Sequence, residues 1–190
     1  MPESYFLYIG RVSVEKSLDV LIKSFQQFSL KKTSVDLVIV GDGPIKNELQ
    51  VLAKKLKIGQ RVHFLGMIEH EKILRSNIFD KAVAFVTTSK SETQCISVLE
   101  AMNFGLPIIG VKSRALPELV KDNGIVCEPD NEQEIAQALI LLCENQKQRN
   151  LFARNSRKLA KKHSIVATVE KLEQIYTKLV SSSPVKPAFF

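Results

Sequence analysis

The sequence predicts an α/β domain: a doubly wound parallel sheet of about six strands, Rossmann-like, with helices on both faces and further helices at the C-terminal end. Two observations carry this. Short β-rich apolar runs alternate with helical stripes along most of the 190 residues, and the helices supply the crossovers that parallel strands need. The length suits one sizeable domain, and 45% hydrophobic with 25% charged residues is enough to bury a core.

The elements follow in order. Tyr5 to Ile9 is a β-rich run ending at Gly10. Ser17 to Leu30 places Leu18, Leu21, Ile22, Phe25 and Phe28 on one helical stripe. Asp36 to Val40 is a buried strand closed by Gly41-Asp42-Gly43-Pro44, and Pro44 suits the first position of a helix reaching Lys57. Arg61 to Leu65 is the third strand, a short helix covers Glu69 to Arg75, and Ala82 to Thr87 is the fourth strand. Ile96 to Phe104 is a helix stopped by Gly105 and Pro107. Pro107 to Val111 and Gly124 to Cys127 complete the sheet. Helices are predicted over Glu132 to Glu144, Lys147 to Lys161 and Ile165 to Val180, and Ser181-Ser182-Ser183-Pro184 begins a tail expected to be mobile.

Composition narrows the function. The longest apolar runs are far too short to span a bilayer, and the residues after Met1 show neither a basic region nor a cleavage site. Three cysteines (Cys95, Cys127, Cys143) form no C-x-x-C pair, which fits a reducing, cytoplasmic setting. His63, His70 and His163 lack ligand spacing and are expected to be structural or solvated, so no metal site is predicted. Lys plus Arg exceed Asp plus Glu by 27 − 20 = 7, a balance that favours anions. Aromatic residues are not interleaved with the basic clusters, so nucleic acid is not an expected partner.

In parallel sheets of this kind ligands bind beyond the carboxyl ends of the strands. Gly10-Arg11 follows the first strand and Glu15-Lys16 opens the next helix. Two cations beside a helix N-terminus make a diphosphate site, or else simply cover the helix end. Glu92 and Glu100, seven residues between them, could hold the hydroxyls of two different sugars, or be a helix-start acid and an unrelated surface acid. Gly41-x-Gly43 lacks the third glycine of a dinucleotide fingerprint and does not extend to a phosphate-loop lysine.

Taken together, Gly10-Arg11-x-x-x-Glu15-Lys16, Gly41-Asp42-Gly43-Pro44 and Val62-x-Phe64-x-Gly66 resemble the C-terminal domain of the group 1 (family 4) glycosyltransferases of the GT-B fold. Glu92 to Glu100, followed by Ala101-Met102-x-x-Gly105-Leu106-Pro107, resembles the E-x7-E motif of that family. Leu116-Pro117-Glu118 and Gly124 to Pro129 continue the match, which covers about Tyr5 to Lys161.

The resemblance implies the donor-binding half of a retaining enzyme that moves a hexose from a nucleotide sugar to a hydroxyl acceptor, a glycan or a lipid. Arg11 and Lys16 would grip the donor diphosphate, Glu92 the transferred sugar and Glu100 the ribose. The loop after Phe64 would lie against the base. Gly10, Gly41, Phe64, Thr93, Gln94 and Cys95 complete the implied donor site. No cofactor and no metal are implied, cationic side chains taking the place of the latter. The family most often has Glu-Gly-Phe-Gly where this chain has Glu92-Thr93-Gln94-Cys95. Members that glucosylate diacylglycerol carry a Glu-Thr-Gln sequence there.

The implied organisation is a nucleotide-sugar-binding domain over 1–162, a helix over 163–180 that crosses to an N-terminal GT-B domain absent from this chain, and a flexible tail over 181–190. Such a fragment is expected to be inactive alone. Ile165, Val169, Leu172, Tyr176 and Leu179 form an apolar stripe on the last helix, facing either that absent domain or this one. Arg154, Arg157, Lys158 and Lys161 line one face of the helix before it, a solvated face or a contact with an anionic membrane. Two other functions share these features: a non-catalytic nucleotide-sugar or phosphate-binding module, and half of a GT-B sugar epimerase.

Overall fold

A computed structural model describes residues 1–31, 34–91, 93 and 95–182. It contains six strands: β1 (Tyr5–Ile9), β2 (Asp36–Val40), β3 (Val62–Gly66), β4 (Ala82–Val86), β5 (Ile108–Val111) and β6 (Gly124–Cys127). They form one sheet in the order β3-β2-β1-β4-β5-β6, and every neighbouring pair is parallel. All of β5 and the first four residues of β1 are buried, as a sheet covered on both faces requires.

The helices are α1 (Leu18–Ser29), α2 (Lys46–Lys55), α3 (His70–Arg75), α4 (Ile96–Asn103), α5 (Leu116–Leu119), α6 (Glu132–Glu144), α7 (Gln146–Lys162) and α8 (Ile165–Ser182). Two groups cover the sheet: α1 packs on α2 and α6, and α4 packs on α7. Phe6, Phe25 and Phe28 fill the space beneath α1, with the Phe6 and Phe28 rings edge-on at 5.1 Å. The six strands, the parallel order and the two helical layers are those the sequence predicts.

Several boundaries differ from expectation, three of them as follows. The chain after Val40 does not enter a helix at Pro44, because Gly43, Pro44 and Ile45 form a turn in which the Lys46 N–H donates to the Gly43 carbonyl at 3.2 Å. Leu116 to Leu119, where no helix was expected, form the four-residue α5. α8 runs through Ser181 and Ser182 rather than ending at Val180. The rest of the expected tail, 183–190, lies outside the described residues.

The strand order reverses between β1 and β4, the two central strands. Their carboxyl ends diverge into opposite crossovers and open a crevice, the place where sheets of this type hold ligands.

Candidate functional site

The loops after β1 and β2 are tied together by their backbones. Gly10 N–H donates to the Val40 carbonyl at 3.0 Å and Val12 N–H to the Asp42 carbonyl at 2.9 Å. Gly41 makes the approach possible: it has φ +133°, and a Cβ there would stand 1.9 Å from the Gly10 carbonyl oxygen. The glycines of Gly41-x-Gly43 thus serve close backbone contact.

A 3-10 turn (Val14–Lys16) precedes α1, and Ser17 joins the two in a left-handed conformation, φ 50° and ψ 40°. Buried Thr88, just past β4, fixes this turn: its Oγ1 lies 3.0 Å from the Lys16 carbonyl oxygen and 2.9 Å from that of Ser17. The sequence reading missed Thr88. Arg11 is exposed and stands 4.0 Å from Glu15, whose carboxylate accepts from Ser13 Oγ at 2.7 Å. That hydrogen bond, then a backbone one, then the cations Arg11 and Lys16 hold the Glu15 carboxyl below its usual range.

Gly10, Arg11, Lys16, Thr93, Cys95 and Glu100 come together around a cleft of about 460 Å³, with Tyr8, Thr87, Ser91, Ser97 and His70 also in its wall. No residue of α1, which begins two residues after Lys16, lines it, whereas Cys95, Ile96 and Ser97 bring the N-terminus of α4 to the same cleft as the two cations. α4 begins after Cys95, buried and left-handed at φ 50°, with no side-chain cap and no acid in its first turn. First-turn N–H groups and the positive end of the helix dipole both favour an anion. Glu92 and Gln94 lie outside the described residues.

His70, solvated as expected, also stands in the wall of the larger cleft. Its Nε2 is 2.5 Å from Glu100 Oε1, with Glu100 largely buried and His70 mostly exposed. His63 does have a structural place, 2.7 Å from Asp36, which also pairs with Arg61 at 3.2 Å.

A second cleft of about 270 Å³ adjoins the first and shares Ile9, Gly10 and Arg11 with it; Gly41, Met67, Ile68 and Ile73 form its other walls. Gly41 therefore belongs here and not in the larger cleft. Phe64 lies in neither: on β3 it shares a face with buried Val62 and packs against the core. The loop after Phe64 contributes Met67 and Ile68 instead. Among the described residues no group of three or more His, Cys, Asp or Glu is placed to hold a metal ion, and no helix is long and apolar enough to cross a membrane.

A six-stranded parallel sheet with two joined clefts beyond the carboxyl ends of β1, β2 and β4 makes this a Rossmann-like α/β domain. The chain belongs to the glycosyl transferases group 1 family, whose sequence pattern matches residues 1–159. It is 28% identical over 171 residues to a sulfoquinovosyl transferase of Arabidopsis thaliana, covering 87% of this chain and 32% of that protein. It is 30% identical over 138 residues to the alpha-monoglucosyldiacylglycerol synthase of Streptococcus pneumoniae, covering 73% and 31%.

Among solved structures, HepE of Anabaena in complex with UDP superposes with a TM-score of 0.79 at 24% identity, covering 95% of this chain and 49% of that one. The C-terminal domain of a group 1 glycosyl transferase (LpcC) from Francisella tularensis superposes with a TM-score of 0.77 at 27% identity, covering 87% and 89%. The chain thus spans about a third of these two curated relatives.

Proposed function

We propose that this chain is the donor-binding half of a retaining glycosyltransferase that moves a hexose from a nucleotide sugar to a hydroxyl acceptor, a glycan or a lipid. The observation that carries the reading is the meeting of Arg11, Lys16, the α4 N-terminus and Glu100 in one cleft. The diphosphate sits between the two cations and the first-turn N–H groups of α4, where charge growing on the departing nucleotide meets donors already in place. Glu100 accepts hydrogen bonds from the ribose hydroxyls, and the Met67–Ile68–Ile73 cleft takes the base. Glu92 holds the transferred sugar, with Thr93, Gln94 and Cys95 forming the loop around it.

Arg11 and Lys16 do the work a divalent ion does elsewhere, so neither metal nor cofactor enters the reading. The family membership and the UDP held by a protein of the same fold support it. The acceptor side of the cleft, and with it turnover, belongs to a second domain outside this chain. α8 carries its exposed apolar stripe towards that domain. Three cysteines outside disulfides fit a cytoplasmic location.

Calorimetry with UDP tests this. Binding is expected with and without EDTA. Arg11→Ala/Lys16→Ala is expected to lose it, Glu100→Ala to weaken it by about tenfold, and Glu92→Ala to leave it unchanged. A strict magnesium requirement, or full affinity in the Arg11/Lys16 double variant, would overturn the assignment.

A further inference from the structure

The larger cleft is built from loops that meet only beyond the sheet. The loop after β1 carries Arg11 and Lys16, and the loop after β4 leads to Thr93 and Cys95 at the start of α4. The last paired residues of the two strands are Leu7 and Phe85. Past them the chain leaves in opposite directions, so the strand ladder does not set the distance between the two loops.

Thr88 supplies that link. It is 2% exposed, and its Oγ1 lies 3.0 Å and 2.9 Å from two carbonyl oxygens. These belong to Lys16 itself and to Ser17, the left-handed residue that turns the chain into α1. The hydroxyl therefore holds the backbone that carries the Lys16 side chain. Thr88 is in the wall of neither cleft, so it acts on the backbone and not on a ligand.

The segment around Thr88 is itself fixed. Thr87, Thr88 and Ser89 are all buried. Ser89 N–H donates to Thr87 Oγ1 at 3.4 Å and Ser91 N–H to Ser89 Oγ at 3.4 Å. From the loop after β5, Ser113 Oγ donates to the Lys90 carbonyl at 2.5 Å. Lys90 Nζ pairs with Asp130, beyond β6, at 2.9 Å. The loop after β4 is thus anchored towards β5 and β6 on one side, and through Thr88 to the turn bearing Lys16 on the other.

We propose that Thr88 is a positioning residue for the donor diphosphate: by tying the Lys16 backbone to the loop after β4, it sets where the Lys16 ammonium stands in the cleft. This rests on the donor-site reading, in which Lys16 meets the diphosphate. Valine has nearly the shape of threonine and no hydroxyl, so Thr88→Val takes a donor from both carbonyls and leaves the 3-10 turn free to move away from β4. A cation stabilises the departing nucleotide only if it is already in place. A hydroxyl that merely secured the start of α1 would act on stability alone, and equally whether residue 16 were lysine or alanine.

Calorimetry with UDP tests this. Thr88→Val is expected to weaken binding by about five- to tenfold, and Thr88→Ser, which keeps the hydroxyl, to stay within about twofold of the parent chain. Lys16→Ala retains Arg11 and hence a measurable, weaker affinity. Adding Thr88→Val to it is expected to change that affinity by less than about twofold, because the side chain being positioned is gone. Where Thr88→Val lowers the thermal midpoint, the rise that UDP adds to the midpoint of each variant gives the same comparison. Parent affinity in Thr88→Val, an equal loss in Thr88→Ser, or the same fold loss with lysine and with alanine at position 16 would overturn the inference. Absence of UDP binding by the parent chain would sink the donor-site reading and this inference with it, whereas binding that Thr88→Val leaves intact sinks this inference alone.

Discussion

Gly41 stands where two loops touch, and the Cβ of alanine would fall 1.9 Å from the Gly10 carbonyl oxygen at a φ of +133°. Backbone strain and overpacking act together at such a point. Gly41→Ala is therefore expected to cost roughly 2–5 kcal/mol in urea unfolding; a change below about 0.5 kcal/mol, the size usual at an indifferent surface site, would mean the loops part freely. His70 makes a different kind of prediction, since its contact with Glu100 is exposed on one side. If the imidazole orients Glu100 for ribose, His70→Ala weakens UDP binding by about three- to tenfold without moving the urea midpoint, and His70→Gln recovers part of the loss. Tighter binding by His70→Ala would show instead that the imidazole competes with the ligand. Arg11, Lys16 and Glu100 were legible in the sequence because each lies at a fixed offset from a strand end or a helix start. His70 was not, because it reaches Glu100 across thirty positions on another element. Thr88 was missed for the same reason, as its partners lie more than seventy residues upstream.

At the scale of elements the sequence was most informative where burial was deepest. β1, β2, β4 and β5 read correctly because a strand covered on both faces is a continuous apolar run. The start of α2 read wrongly because Pro44 suits a first helical turn and an ordinary turn equally well. α5 is too short for a helical period to register. α8 is the case where pattern and packing diverge: its stripe is clear in the sequence, yet Ile165, Val169, Leu172, Tyr176 and Leu179 are all exposed. Among its described neighbours α8 makes its main contact with α7. Removing 165–190 is consequently expected to change the unfolding free energy by less than about 0.5 kcal/mol. A loss of several kcal/mol would place α8 in the core of this domain.

For the molecule as a whole, the proposed function gives the two clefts one side of a reaction. Transfer needs donor and acceptor at reacting distance, and the matched relatives extend well beyond this chain. The 190 residues alone are expected to bind UDP but to release none from a UDP-hexose in an acceptor-dependent manner; robust turnover by the isolated chain would show that the acceptor site is built here after all. The central place of β1 also bears on how the chain is made. Of the six strands Tyr5 to Ile9 leaves the ribosome earliest, but the strand that completes its far side begins at Ala82, 82 − 9 = 73 residues later. At about 5–20 residues per second, that interval lasts roughly 4–15 s. Throughout it Phe6, Leu7 and Tyr8 offer an unpaired apolar edge to other nascent chains, a hazard set by strand order and met by whatever shelters emerging polypeptide.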